Sequence, residues 1–229
     1  MKNSRKVSFG FSKKRDGQMI LKDNVDSFLN REIFFNKKGI DLQNVVSTKL
    51  DHGSKVKVVT KKDGGKVINL VDGLITVDKR TCLTVTISDC VPILFYDYKN
   101  GVIGIAHAGW KGALKNIASV IIDKMNKKFN SEFENIEIYI GPHIKKCHFE
   151  IRDNVIDQFK EYKKHILNKD NKIFVDLEGI IIEQLLGAGV IRKNISVSRD
   201  CTYCNSNYFS FRRDNFGKVV SQIAYIMLK

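Results

Sequence analysis

Two side chains with high affinity for metals flank the apolar runs of "SDCVPILFYDYKNGVIGIAHAGWKG", residues 88–112: Cys90 precedes "VPILFYD" and His107 ends "GVIGIAH". A third candidate, His52, lies in "KLDHGSKV" between two further apolar segments. A thiolate and two imidazoles are ligands for zinc or copper, and a Cys beside a His is also the working pair of thiol hydrolases. Each residue has a structural explanation too. Free Cys is among the most buried residue types, and a His at a strand end usually just completes a hydrogen bond. The three are too far apart for zinc-finger spacing, so residue type and spacing leave both readings open.

The elements that must position these groups read mainly as strands. Alternation and short apolar runs predict strands near 7–11, 43–50, 55–60, 67–77, 82–88, 92–98, 101–107, 136–141, 172–177, 194–199, 207–212 and 219–227. Helical spacing predicts helices over 24–37, 113–128, 154–165 and 177–186, the last ending at Gly187 and Gly189. Consecutive strands with inserted helices favour an α+β chain with mixed sheets over a strict βαβ repeat. Cys90 and His107 then sit at strand ends, where side chains can converge on a rim. Asp72 and Asp89 are candidate proton-handling carboxylates, with a turn role favoured for Asp89. "FSFRRD" places Arg212 and Arg213 on a strand, facing opposite ways. "AGWKG" puts Lys111 at a strand-to-helix turn that suits either an anion or a packed tryptophan.

At 229 residues, 43% hydrophobic and 28% charged, the chain fits one globular domain over 1–229. No apolar run reaches the roughly 18 residues of a membrane span, and the opening residues lack the apolar segment of a secretory signal. A cytoplasmic protein with no membrane partner is expected. The five cysteines, an odd number, fit thiols or metal ligands better than a disulfide framework. Cys82 reads as core; Cys147, close to His143 and His148, reads as a packed thiol in preference to an auxiliary metal contact; and the lone C-x-x-C of Cys201 and Cys204 reads as reduced structural thiols in preference to half a zinc site or a redox pair. The net charge of +14 favours anionic partners, but the lysine pairs are scattered, so a solvated surface is preferred to a nucleic-acid face.

Longer strings carry a resemblance. "VDGLITVDKRTCLTVTISDCVPILFYD", "GVIGIAHAGWKGALKNI", "IYIGPHIKKCHFEIRDNVIDQF" and "CTYCNSNYFSFRRDNFGK" resemble, in order, the signatures of the YfiH family, also called laccase-domain or polyphenol-oxidase-like proteins. The family's "Q-x-H-G" histidine is matched by His52 in "LDHG", without the glutamine. Its "D-C-x-P" cysteine is matched by Cys90 and its "H-A-G-W" histidine by His107, and the family's closing "GR" is Gly217-Lys218 here.

The resemblance implies a layered α-β-β-α sandwich, and a Zn²⁺ site made by His52, Cys90 and His107, with copper as the alternative metal. Three protein ligands leave a fourth position open, which is the arrangement of a catalytic zinc. It further implies purine nucleoside phosphorylase activity on adenosine, inosine, guanosine or methylthioadenosine, with inorganic phosphate as co-substrate, and adenosine deaminase activity. Cys90 and Asp72 are then the expected catalytic residues, and Lys111, Arg212 and Arg213 the substrate-binding ones; a homodimer is left open. Three rivals stand beside this reading: a copper polyphenol oxidase, a Cys90/His107 thiol hydrolase, and a basic nucleic-acid-binding module using "TYCNSNYFSFRR". With only five histidines the chain is short of ligands for a multicopper oxidase.

Overall fold

A computed structural model describes residues 6–21, 25–214 and 219–229. In chain order its strands are β1 (Val7–Phe11), β2 (Val45–Lys49), β3 (Val56–Val58), β4 (Val67–Asn69), β5 (Gly73–Thr76), β6 (Cys82–Ile87), β7 (Val91–Asp97), β8 (Val102–Ala108), β9 (Ile136–Ile140), β10 (Glu150–Ile151), β11 (Ile166–Lys169), β12 (Lys172–Val175), β13 (Ile195–Val197) and β14 (Gln222–Leu228). The helices are α1 (Val25–Asn36), α2 (Trp110–Leu114), α3 (Ile117–Phe129), α4 (Asp153–Ile156), α5 (Leu177–Gly187) and α6 (Phe211–Asp214).

Among the described residues the strands form a five-stranded sheet, β1-β14-β6-β2-β4, a six-stranded sheet, β13-β9-β7-β8-β5-β3, and a small sheet, β10-β12-β11. The two large sheets each mix parallel and antiparallel pairs. They lie face to face. Val46, Leu83 and Val85 of the first sheet pack against Leu94, Ile103 and Ile105 of the second. Helix α1 covers the outer face of the first through Phe34 and Phe35, and α3 and α5 cover the outer face of the second through Ile121, Ile122, Ile180 and Ile181. The result is the expected α-β-β-α sandwich.

Burial on both faces explains the sequences of β7 and β8, "VPILFYD" and "VIGIAHA", in which every residue is buried. The period of two puts Ile103, Ile105 and His107 on the face toward the first sheet. His107 therefore ends a row of core residues and enters the gap between the sheets at its rim.

Several local expectations are corrected. The segment 67–77 is two strands in different sheets, β4 and β5, because Leu70 takes a left-handed φ of 56° and turns the chain from one layer to the other. The helix expected over 113–128 is α2 and α3, parted at Asn116 with φ 57°. The helix expected over 154–165 is short α4 followed by a 3-10 segment, Asp157–His165, broken at Tyr162. Residues 207–212 form no strand; a turn leads into α6. Strands β10 and β11 were not anticipated. Asn24, the expected start of α1, and Gly217-Lys218 lie outside the described residues. No described helix is long and apolar enough to cross a membrane.

Leu94 is fully buried between the two sheets. Leu94→Ala is expected to lower stability by about 2–5 kcal/mol, as large-to-small changes in a packed core do. Urea denaturation followed by circular dichroism measures it.

Candidate active site and its metal-ligand set

The site is built around one carboxylate. Asp72 lies where the chain has crossed between sheets, just before β5, and is wholly buried. Its Oδ1 accepts the backbone N–H of His52 at 3.0 Å and faces Nδ1 of His107 at 3.0 Å. Its Oδ2 accepts the N–H groups of Gly53 at 2.8 Å and Asp51 at 3.3 Å. The Asp72 carbonyl also accepts the His107 N–H at 2.7 Å. These bonds hold His52 in a left-handed conformation, φ 55°, that a non-glycine residue rarely adopts. They also fix the His107 ring with Nδ1 occupied, which leaves Nε2 to meet another partner, the orientation that a carboxylate imposes on a metal-binding imidazole.

Burial is the largest influence on Asp72 and pushes its carboxyl up, but the His107 hydrogen bond and the Gly53 and Asp51 amides outweigh it and hold the pKa below its usual value. Burial likewise works against the His107 imidazolium. The Cys90 charge and the hydrogen bonds to Asp72 and Cys90 outweigh it, raising the pKa from 6.5 to about 9. The His52 imidazole is lowered by burial and then by the neighbouring His107 charge.

The three residues converge on Gly109. The His52 and His107 rings meet edge to face with centroids 5.0 Å apart. A Cβ at Gly109 would stand 3.2 Å from the Cys90 sulfur and 3.7 Å from a ring carbon of each imidazole, so glycine leaves room for the three side chains to approach one another. At Gly112 a Cβ would stand 2.8 Å from the Gly53 carbonyl oxygen, so α2 packs directly on the turn carrying His52. Two imidazoles and a thiolate are a donor set that fits zinc or copper.

His52, Cys90 and His107 line a cavity of about 390 Å³, within the size range of small-molecule clefts. Leu50, Ile87 and Phe211 supply apolar wall, and Lys49 supplies charge. Thr48, Ser88 and Ser221 also line it. Among the described residues no group hydrogen-bonds their buried hydroxyl oxygens.

Other candidates fall elsewhere. Asp72 is not on the cavity wall; it hydrogen-bonds the His107 ring and the His52 backbone behind it. Asp89, with φ 75°, accepts from Thr202 Oγ1 at 2.6 Å, Ser210 Oγ at 3.0 Å and the Arg212 N–H at 2.7 Å. Arg212 and Arg213 sit on α6, not on a strand, and neither lines the cavity. Arg212 donates to the Glu150 carbonyl at 2.9 Å; Arg213 donates to the carbonyls of Thr202, Tyr203 and Tyr208 and pairs with Asp214. Lys111 does not line the cavity either, although its charge is near enough to disfavour the His52 imidazolium. Helix α2 spans five residues, too short for an anion-holding dipole.

Comparison with known proteins bears on this arrangement. Residues 18–229 match the family described as multi-copper polyphenol oxidoreductase laccase. The chain belongs to this family. It is 29% identical to purine nucleoside phosphorylase YlmD of Bacillus subtilis over 99% of this chain and 90% of that protein. It is 29% identical to adenosine deaminase RL5, from an unknown prokaryotic organism, over 76% of this chain and 72% of that protein. The crystal structure of YlmD from Geobacillus stearothermophilus superposes with a TM-score of 0.94 at 28% identity, covering 100% of this chain and 94% of that one.

This laccase-family chain carries a second donor group, whose halves the residue-by-residue reading weighed separately as metal ligands, set aside and did not join. Cys147, His148, Cys201 and Cys204 bring four ligand atoms all within 4.8 Å of one another and could hold a metal ion. Cys147 and Cys204 are exposed, which corrects the packed-thiol reading of Cys147. The available signal was two half-motifs, "CH" and "CTYC"; what joins them is tertiary structure.

An Asp72→Asn change leaves an amide NH₂ facing backbone donors, and lost satisfaction of buried groups costs about 1–3 kcal/mol. In metal-free protein, His107 is expected to titrate near 9, and its pKa to fall in the variant. The stability that the raised pKa contributes is complete below 6.5 and is lost as pH rises through about 9. Ring ¹⁵N shifts against pH, with denaturation at pH 6 and 10, measure both effects.

Proposed function

We propose that the chain is a metal-dependent purine nucleoside phosphorylase with adenosine deaminase activity, and that zinc held by His52, Cys90 and His107 is its metal. The observation that carries the reading is one cavity combining this donor set with apolar walls and three buried hydroxyls that have no hydrogen-bond partner among the described residues. The names of the relatives, a purine nucleoside phosphorylase and an adenosine deaminase, agree with it.

A purine nucleoside is a flat apolar base joined to a hydroxyl-rich sugar. Leu50, Ile87 and the Phe211 ring suit the base, whose faces stack on apolar and aromatic side chains. The hydroxyls of Thr48, Ser88 and Ser221 suit its polar edges and the ribose, since a buried hydroxyl without a partner gains most from a ligand that supplies one. Lys49 on the wall and Lys111 beside His52 give the positive charge that phosphate needs; Arg212 and Arg213 are spent on the fold. Zinc, when bound, lowers the pKa of a coordinated water and polarises a substrate oxygen. Asp72 holds the His107 ring by its Nδ1 and leaves Nε2 to meet another partner, and Gly109 leaves the space in which the donors meet.

In phosphorolysis the bond from C1′ of the ribose to the base nitrogen breaks, and a phosphate oxygen bonds to C1′, giving free base and ribose 1-phosphate. In deamination water replaces the amino group at C6, giving inosine and ammonia. Both start from adenosine.

A second reading has its own support. The hydrogen bond between His107 and Cys90, with the raised His107 pKa, joins the two side chains that a metal-free thiol hydrolase would use.

Incubation of metal-defined protein with adenosine, with and without phosphate, separates these. Adenine and ribose 1-phosphate are expected only with phosphate, inosine in both buffers; adenosine unchanged in both would remove the proposal. Cys90→Ala is expected to abolish turnover and lower zinc content. Activity that survives complete chelation and dies on alkylation would favour the thiol hydrolase, and oxygen uptake with a phenol by copper-loaded protein would favour the oxidase. Ser88→Ala and Ser221→Ala are each expected to raise KM for adenosine about 2–10-fold, the equivalent of one neutral hydrogen bond, read from initial rates.

A further inference from the structure

Outside the cavity, Cys147 and His148 on one loop face Cys201 and Cys204 on another, and their spacing is that of a tetrahedron. The Cys147 sulfur lies 3.8 Å from the sulfurs of both Cys201 and Cys204. With Zn–S bonds of about 2.3 Å, a tetrahedral edge between two sulfurs is about 3.8 Å. His148 Nδ1 lies 3.2 Å from the Cys147 sulfur and 3.3 Å from that of Cys204. The corresponding sulfur-to-nitrogen edge, with Zn–N of about 2.0–2.1 Å, is about 3.5 Å. A disulfide would need sulfurs about 2.05 Å apart.

The surroundings hold the four donors in place. Residues His143 and Cys201 form a parallel bridge, and the Thr202 N–H donates to the His143 carbonyl at 3.0 Å, so backbone pairing joins the two loops. The amides of Lys145, Tyr203 and Cys204 point at the Cys201 sulfur, supplying the donors that a metal-bound thiolate accepts. The His148 ring stacks on Tyr203, with centroids 4.0 Å apart and planes 17° from parallel. The Arg213 guanidinium, donating to the Thr202 and Tyr203 carbonyls, puts positive charge beside the same loop.

We infer that Cys147, His148, Cys201 and Cys204 form a closed, structural zinc site, distinct from the open donor set of His52, Cys90 and His107. Four protein ligands fill the tetrahedron and leave no position for substrate. Three thiols release their protons to solvent as Zn²⁺ binds, giving a centre of net charge −1, and affinity falls as pH drops. The metal fastens together the two loops that flank Asp89: Ile144 donates to its carbonyl and Thr202 to its carboxylate. The site stands whether or not the cavity acts on nucleosides.

The test uses the full chain with Cys90→Ala, which takes the thiol out of the cavity set. After chelation under reductant and return of Zn²⁺, elemental analysis and native mass spectrometry are expected to find one tightly held zinc per chain. The same chain with Cys204→Ser added is expected to fall to background and to lose the protection of Cys147 against alkylation. Should that variant not fold, Co²⁺ in the Cys90→Ala chain gives an independent reading: tetrahedral d–d bands with a strong sulfur-to-cobalt charge-transfer band support the site. A folded Cys90→Ala chain that holds no zinc, an octahedral cobalt spectrum, or a mass two hydrogens short, as a disulfide gives, would overturn it.

Discussion

A wholly buried carboxylate is costly unless its charge is met by donors, and Asp72 has four of them: three consecutive amides, Asp51 to Gly53, and the His107 ring. The arrangement binds distant parts of the chain to one atom group. His52 stands in a loop after the first sheet's β2, His107 at the end of the second sheet's β8, and Asp72 at the passage from β4 to β5. The turn at Leu70 that moves the chain between layers is thus what delivers the carboxylate to the gap where the His52 backbone and the His107 ring can reach it. Sandwich topology and donor geometry are consequences of the same three-residue crossing, Leu70 to Asp72.

Asp89 does comparable work one step away. Its left-handed backbone directs the chain from β6 into β7, and its carboxylate ties down Thr202, Ser210 and the start of α6. Cys90 follows directly, so the thiol's position depends on a segment more than a hundred residues further on. Phe211 reaches the cavity wall through the same attachment. Neither carboxylate lines the cavity, and each ties neighbouring segments together through its hydrogen bonds.

The parts of this design legible in the sequence are those set by burial. Strands β6, β7 and β8 announce themselves as apolar runs because both faces are covered, and Cys90 and His107 stand at their ends. The residues that failed to announce themselves are the left-handed non-glycines. Leu70 and Asn116 interrupt patterns that otherwise continue smoothly, since the strain at those positions is balanced by tertiary bonds that no local pattern encodes. "NYFSFRRD" alternates as a strand would, yet Ser210 caps toward Asp214 and Arg213 gathers the carbonyls of the preceding turn, and these local bonds override the alternation. The Cys147 group was illegible for another reason: its halves are 54 residues apart between Cys147 and Cys201, and each half alone is a weak motif.

The two donor groups differ in the number of protein ligands, and that difference divides their work. On the proposed assignment, a three-ligand set next to a cavity would keep a coordination direction for a reacting molecule and would need support from behind, which the hydrogen bonds of the buried Asp72 would give it. A four-ligand set at the surface has no chemistry to offer and can only resist separation of the segments that supply it. Those segments, 143–148 and 201–204, both terminate on Asp89. On this assignment a metal far from the substrate sets how firmly Cys90 is placed, because the only covalent step between Asp89 and the thiol is a single peptide unit.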